Sequence, residues 1–193
     1  MRAMAVQRLP LVLMLLLTLG GCTRMAASFS EEPTDTFHGS RTLGATIEDS
    51  SIRNKVRVNL FRADDAFRQA RLRVRSFNGN VLITGEIENE DLHDKATDIA
   101  GKVRHVRDVH NEMKVSESSS LLTRLNDRWL GTKAKTRLLL SPATPGRRTR
   151  VTTSNGTVYL MGLLERDEAE AVVEQVQRVY GVQKIVKIIE YID

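Results

Sequence analysis

Apolar residues follow two rhythms along this chain, and the same succession of rhythms occurs twice. Ile52, Val56 and Leu60 fall at i, i+4 and i+8, one stripe of a helix whose start the pattern places at Asp49-Ser50-Ser51. Leu72 and Val74 alternate with Arg71, Arg73 and Arg75, the period of a half-buried strand. Asn78-Gly79 is a strong hairpin signal because both turn positions favour positive φ, and Val81 to Ile83 returns as a second strand. Leu92, Ala96, Ile99, Ala100 and Val103 mark a second amphipathic helix, and Val106 to Val115 a third strand.

The second half repeats the first. Phe77-Asn78-Gly79-Asn80-Val81 through Gly85 matches Ser154-Asn155-Gly156-Thr157-Val158 through Gly162. Asp49, Ile52, Lys55, Val56 and Leu60 pair with Asp127, Leu130, Lys133, Ala134 and Leu138. Val103, Val106 and Val109 pair with Val179, Val182 and Ile185. Two copies of one α+β unit, each αββαβ, follow from this self-similarity. Their bounds are 46–115 and 121–193, with 116–120 as a short link, so the copies are expected to touch.

Ahead of the copies stands an export signal. Met1 to Arg8 carries Arg2, Arg8 and no acid, and Leu9 to Leu19 is apolar except for Pro10 and Thr18. Leu19-Gly20-Gly21-Cys22 then resembles a bacterial lipobox, in which residues 1–21 are removed and Cys22 receives lipid. Cys22 is the single cysteine of the chain, which leaves it no disulfide partner within it. Thr23, rather than Asp, follows it, and by resemblance to Gram-negative lipoproteins this favours the outer membrane. Residues 22–45 are rich in Ser, Thr, Glu and Gly and read as a flexible tether.

The order of these features is similar to that of the BON (bacterial OsmY and nodulation) family, and in particular to its dual-domain lipoproteins. The resemblance rests on the two Asn-Gly-x-Val…Gly hairpins, the Val-x-x-Val helix ends, Asn126-Asp127-Arg128-Trp129 and the lipobox. It implies a periplasm-facing outer-membrane protein that binds anionic phospholipid and supports membrane integrity, without catalysis.

Composition adds little until it is read locally. Loss of residues 1–21 leaves 27 of the 29 basic residues against 24 acids, a net +3. From Leu121 to Arg150, however, eight bases face Asp127 alone, a balance of +7. The matching helix of the first copy has Arg53, Lys55, Arg57, Arg62 and Arg68 against Glu48, Asp49, Asp64 and Asp65, or +1. From Glu165 to Asp193 acids outnumber bases seven to four. A basic patch on a membrane-tethered protein points to an anionic partner, and the second copy is expected to carry it. His38, His93, His105 and His110 lack metal-ligand spacing, and no nucleophile motif occurs, so no catalytic residue, metal, cofactor or small-molecule substrate is expected.

Trp129 is the single tryptophan. On a helix from about Asp127 to Leu140 it lies about 140° from the centre of the Leu130, Ala134 and Leu138 stripe, too far round to join the core. Lys133 and Leu140 lie within about 40° of it, and Arg128 and Arg137 flank it. The expected phospholipid-binding residues are therefore Trp129, Lys133, Arg128, Lys135, Arg137 and Leu140, with Cys22 the lipidation site. A ring packed against the first copy or the linker is the alternative. An adaptor for envelope-assembly proteins, using Tyr159, Tyr180 or the acidic C-terminal face, is the competing function. Nucleic acid is disfavoured by export and by the single aromatic in the basic stretch.

Overall fold

The computed structural model describes residues 41–116 and 119–193. The signal segment, Cys22 and the tether up to residue 40 lie outside the described residues. In chain order the elements are α1 (Leu43–Ala63), α2 (Asp65–Gln69), β1 (Arg73–Phe77), β2 (Asn80–Ile87), α3 (Glu90–Gly101) and β3 (Asp108–Val115). The second copy supplies α4 (Leu121–Leu140), β4 (Arg150–Ser154), β5 (Thr157–Leu164), α5 (Arg166–Gln177) and β6 (Lys184–Tyr191).

Each copy is a three-stranded sheet in which an antiparallel hairpin is extended by a parallel third strand, in the orders β1-β2-β3 and β4-β5-β6. The parallel pairs require a crossover, and α3 and α5 provide it. Ile52, Val56 and Leu60 of α1 meet Val74, Val81, Ile83, Ala96 and Ala100 in the first core. Leu130, Ala134 and Leu138 of α4 meet Val158, Leu160, Val172 and Val176 in the second. The hairpins turn on Asn78 and Gly79 (φ 50° and 78°) and on Asn155 and Gly156 (φ 47° and 73°), the left-handed pair of a type I′ turn.

The first helices begin more than a turn earlier than the apolar stripes suggest. Thr42 caps α1 by accepting from Ala45 N at 3.1 Å, and Ser120 caps α4 by accepting from Thr123 N at 3.1 Å. Asp49 and Asp127 are thus buried inside helices rather than placed at their starts. Their carboxylates hold the hairpins instead. Asp49 accepts from Ser76 Oγ at 2.6 Å, Asn78 N at 2.9 Å and Gly79 N at 3.0 Å, and Arg41 pairs with it at 2.5 Å. Asp127 accepts from Asn155 N at 2.7 Å and Gly156 N at 2.9 Å. Burial opposes ionisation of Asp49. The bonds from Ser76, Gly79, Asn78 and Arg41 outweigh it and hold the carboxyl below its ordinary value.

A second departure lies between α1 and β1. The first copy inserts the short helix α2, capped by Asp64, which drops Phe67 fully into the core. The second copy spans the same interval with a loop, and Lys135 Nζ gathers it by donating to the carbonyls of Gly146 and Thr149, both at 2.6 Å.

The copies pack sheet to sheet. Val81 and Ile83 face their own core, whereas Leu82 between them joins Phe77, Tyr159, Met161 and Ile188 in a third apolar cluster. Asn78 Nδ2 donates to Glu190 Oε2 at 2.8 Å, and Asn155 Nδ2 donates to Glu86 Oε1 at 2.8 Å. Each hairpin therefore reaches a glutamate of the other copy. Arg107 Nη1 adds a bond to Glu190 Oε2 at 2.8 Å. Tyr159, expected as a surface contact for a partner, is instead 1% exposed in this seam. Burial first, and the charge of Glu112 next, push its phenol up to about 12. Glu190 of the acidic C-terminal face is likewise engaged in the seam.

Candidate functional site

Helix α4 is buried along one side and apolar along the other. Asp127, Leu130, Ala134 and Leu138 face the core. On the opposite side Leu122, Leu125, Trp129 and Leu140 are 78%, 59%, 63% and 78% exposed. At about 100° per residue the other three lie within roughly 40° of Trp129. The stripe runs the length of a 20-residue helix, about 30 Å. Isolated exposed apolar residues are ordinary on a protein surface, but several aligned on one helix face, with Lys133 and Arg137 interleaved between Trp129 and Leu140, mark an interaction face.

The C-terminal half of the stripe forms one wall of a shallow groove of about 650 Å³. Tyr180, 93% exposed, stands opposite Trp129 and Leu140 on the turn between α5 and β6. Lys133 Nζ ties that turn to the helix by donating to Tyr180 O at 2.9 Å. Arg137 Nε donates to Gln175 Oε1 at 3.0 Å, and Arg178 pairs with Glu174. Each cation keeps further N–H donors beyond these bonds.

The structure brings four of the expected residues together: Trp129, Lys133, Arg137 and Leu140 line the same groove. Arg128 and Lys135 do not join them. Arg128 lies about 100° round the helix from Trp129 and, with Lys135, lines a cleft between the copies. The eight bases between Leu121 and Arg150 therefore divide between two faces rather than forming one patch. Arg148 is engaged elsewhere, in a pair with Glu168. Cys22 lies outside the described residues.

Three members of the site escape the sequence pattern. Leu122 and Leu125 precede the expected helix start, and recognising Ser120 as the cap would have included them. Tyr180 follows α5 in the chain, and no local motif links it to Trp129.

Residues 48–117 and 126–193 match the BON domain. The chain is 31% identical over 153 residues to "Outer membrane lipoprotein DolP" of Haemophilus influenzae, covering 79% of each protein. It is 29% identical over 152 residues to "21 kDa hemolysin" of Actinobacillus pleuropneumoniae, covering 79% of this chain and 78% of that one. An uncharacterized protein of Anaplasma centrale is 28% identical over 142 residues, which is 72% of this chain and 92% of that protein.

Proposed function

The chain belongs to the BON domain family, and from that premise we propose an outer-membrane lipoprotein whose second domain lays the outer side of α4 on anionic phospholipid. The observation that carries this reading is the stripe Leu122, Leu125, Trp129 and Leu140 on a helix whose other side is core. Helices of this kind lie in the membrane interface with the apolar side among the upper acyl chains, and tryptophan favours headgroup depth. Lys133, Arg137 and Arg178 border the ring, and each cation near an anionic surface contributes roughly 1 kcal/mol. The role is binding in support of outer-membrane integrity, not catalysis.

Attachment is assigned to Cys22 through the Leu-Gly-Gly-Cys junction. The Haemophilus relative, an outer membrane lipoprotein by name, supports both the lipid anchor and the membrane. Among the described residues no helix is long and apolar enough to cross a membrane. A tethered domain meets its surface at high effective concentration, so weak docking suffices once the anchor is in place.

The test removes the anchor. The mature chain, residues 22–193, carrying Cys22→Ala is mixed with vesicles of phosphatidylcholine alone or with phosphatidylglycerol added, then floated. Flotation with the anionic vesicles alone, weakening as salt rises, is expected. Equal flotation with both, or with neither, would refute anionic-lipid recognition and favour the adaptor reading.

A further inference from the structure

The seam between the copies has an electrostatic character that sheet packing does not explain. Along β1, Arg73, Arg75 and Phe77 alternate with residues facing the first core, and in β4 Arg150 begins the corresponding strand of the other copy. Phe77 joins the apolar centre of the seam, which leaves the arginines at one margin. There Arg73 and Arg75 of the first copy share a cleft of about 330 Å³ with Arg128 and Lys135 of the second. The remaining lining is small or hydroxylic, including Thr132, Thr136, Thr152 and Thr153, and it contains no carboxylate. Arg150 belongs to a neighbouring cleft of about 430 Å³ that also includes Lys135.

Among the described residues these cations are not matched by ion-pair partners. Arg73 Nη1 donates to the carbonyl of Thr153 at 3.3 Å, and Lys135 donates to two carbonyls. Burial, and then the charges of Arg73, Arg150 and Arg53, hold the Arg75 guanidinium below its ordinary value. Burial and then Arg41 do the same for Arg150, with Arg53 contributing and Asp49 opposing. Half-buried guanidinium groups that depress one another are a cost to the fold unless an anion relieves it.

We propose that this seam cleft binds a phosphate-bearing group of at least two negative charges, held by Arg73, Arg75 and Arg128 with threonine hydroxyls beside them, while Arg150 in the neighbouring cleft adds its charge to the same field. Guanidinium forks match phosphate oxygens in pairs, and hydroxyls complete the coordination without adding negative charge. The cleft volume is at the lower end for ligand sites, which suits a small head rather than an extended chain. Both copies contribute, so the site exists only in the docked pair. It is separate from the Trp129 groove.

Inorganic pyrophosphate is the probe, titrated calorimetrically into the full chain, with sodium chloride of equal ionic strength as reference. Wild type is expected to bind it and to melt at higher temperature in its presence. Arg75→Gln/Arg150→Gln should weaken binding at least tenfold while melting above wild type in plain buffer, because repulsion has been removed. Should that pair fail to fold, Arg128→Gln, an exposed position without an ion-pair partner among the described residues, carries the same test with a loss of at least threefold. No binding by wild type, or undiminished binding by folded variants, would overturn the proposal.

Vesicles carrying phosphatidic acid, whose phosphomonoester head reaches two negative charges, then separate the sources of the phosphate on the Cys22→Ala background. Loss of vesicle flotation together with pyrophosphate binding identifies a lipid headgroup, whereas loss of pyrophosphate binding alone identifies a soluble phosphorylated compound. Trp129→Glu should leave pyrophosphate binding intact, so failure of the α4 reading and failure of this one remain distinguishable.

Discussion

Replacing Trp129 by glutamate separates docking from folding, and the structure sets the size of both effects. A tryptophan offers up to about 250 Å² of surface, and 63% of this one is open. Roughly 160 Å² is thus available to a membrane, worth about 4 kcal/mol at 25 cal/mol/Å² for complete transfer. A ring at headgroup depth gains about half of that, or a factor of about 30 in partitioning. A carboxylate facing anionic lipid opposes docking by roughly a further 1 kcal/mol, which brings the expected loss to about 100-fold. The covered remainder of the ring bounds the stability cost at about 2 kcal/mol, or a fall in Tm of roughly 4–8 °C. The assay is vesicle flotation on the Cys22→Ala background, paired with a thermal melt. Because Trp129 is the single tryptophan, its emission in the parent protein should also shift to the blue when anionic vesicles are added. A fall in Tm well beyond 10 °C would make the ring a core residue. Unchanged flotation with the fold intact would place the docking face elsewhere.

Three further outcomes are expected. Asp49→Asn should cost about 2–3 kcal/mol near neutral pH, because it disturbs charge-assisted bonds to the hairpin. The folded carboxyl lies below its ordinary value of 3.8, so its contribution is present above that pH and fades as acid protonates it. Urea midpoints at pH 5 and pH 3 should therefore converge between wild type and Asp49→Asn, and an unchanged gap would refute the clamp. Tyr159→Ala should lose about 3–5 kcal/mol, since a side chain 1% exposed leaves a cavity between the sheets; a loss below 1 kcal/mol would mean that the seam contributes little. Mass spectrometry of the mature N-terminus should find acylated Cys22, and an unmodified cysteine would remove the anchor.

The duplication and the αββαβ order were legible because the core obeys local periodicity. Ile52, Val56 and Leu60 needed no knowledge of the partner strands, and Asn78-Gly79 carried its turn by chemistry alone. The helix starts were misread for a physical reason. Aspartate ahead of an apolar stripe looks like an N-cap, yet Asp49 and Asp127 turn inward to satisfy the N–H groups of distant hairpins. Tyr159 was misread because alternation within a strand does not reveal which faces are covered. The unbroken apolar run Val158 to Met161 carried the missed signal, since such runs mark strands buried on both faces. The groove around Trp129 was half legible: angular position put the ring outside the core, but only the folded chain brings Tyr180 across from it.

Comparison of the two first helices narrows what the second domain owes to its own residues. Both begin with exposed apolar positions, Leu43 and Ile47 in α1 and Leu121 and Leu125 in α4, so those turns cannot by themselves distinguish the copies. The differences lie further along. Where α4 carries Trp129 and Leu140, α1 carries Ser51 and Arg62, and where Tyr180 closes the groove the first copy has Arg104. The second copy therefore adds a large aromatic, a leucine and a facing tyrosine where the first has polar groups, with Lys133 and Arg137 set between the apolar positions. The hairpin clamp does not differ, since Asp49 and Asp127 perform the same task in both. The two copies thus share the internal clamp that fixes each hairpin. The outer side of α4 alone adds Trp129 and Leu140, and the seam, which neither copy possesses alone, draws arginines from both.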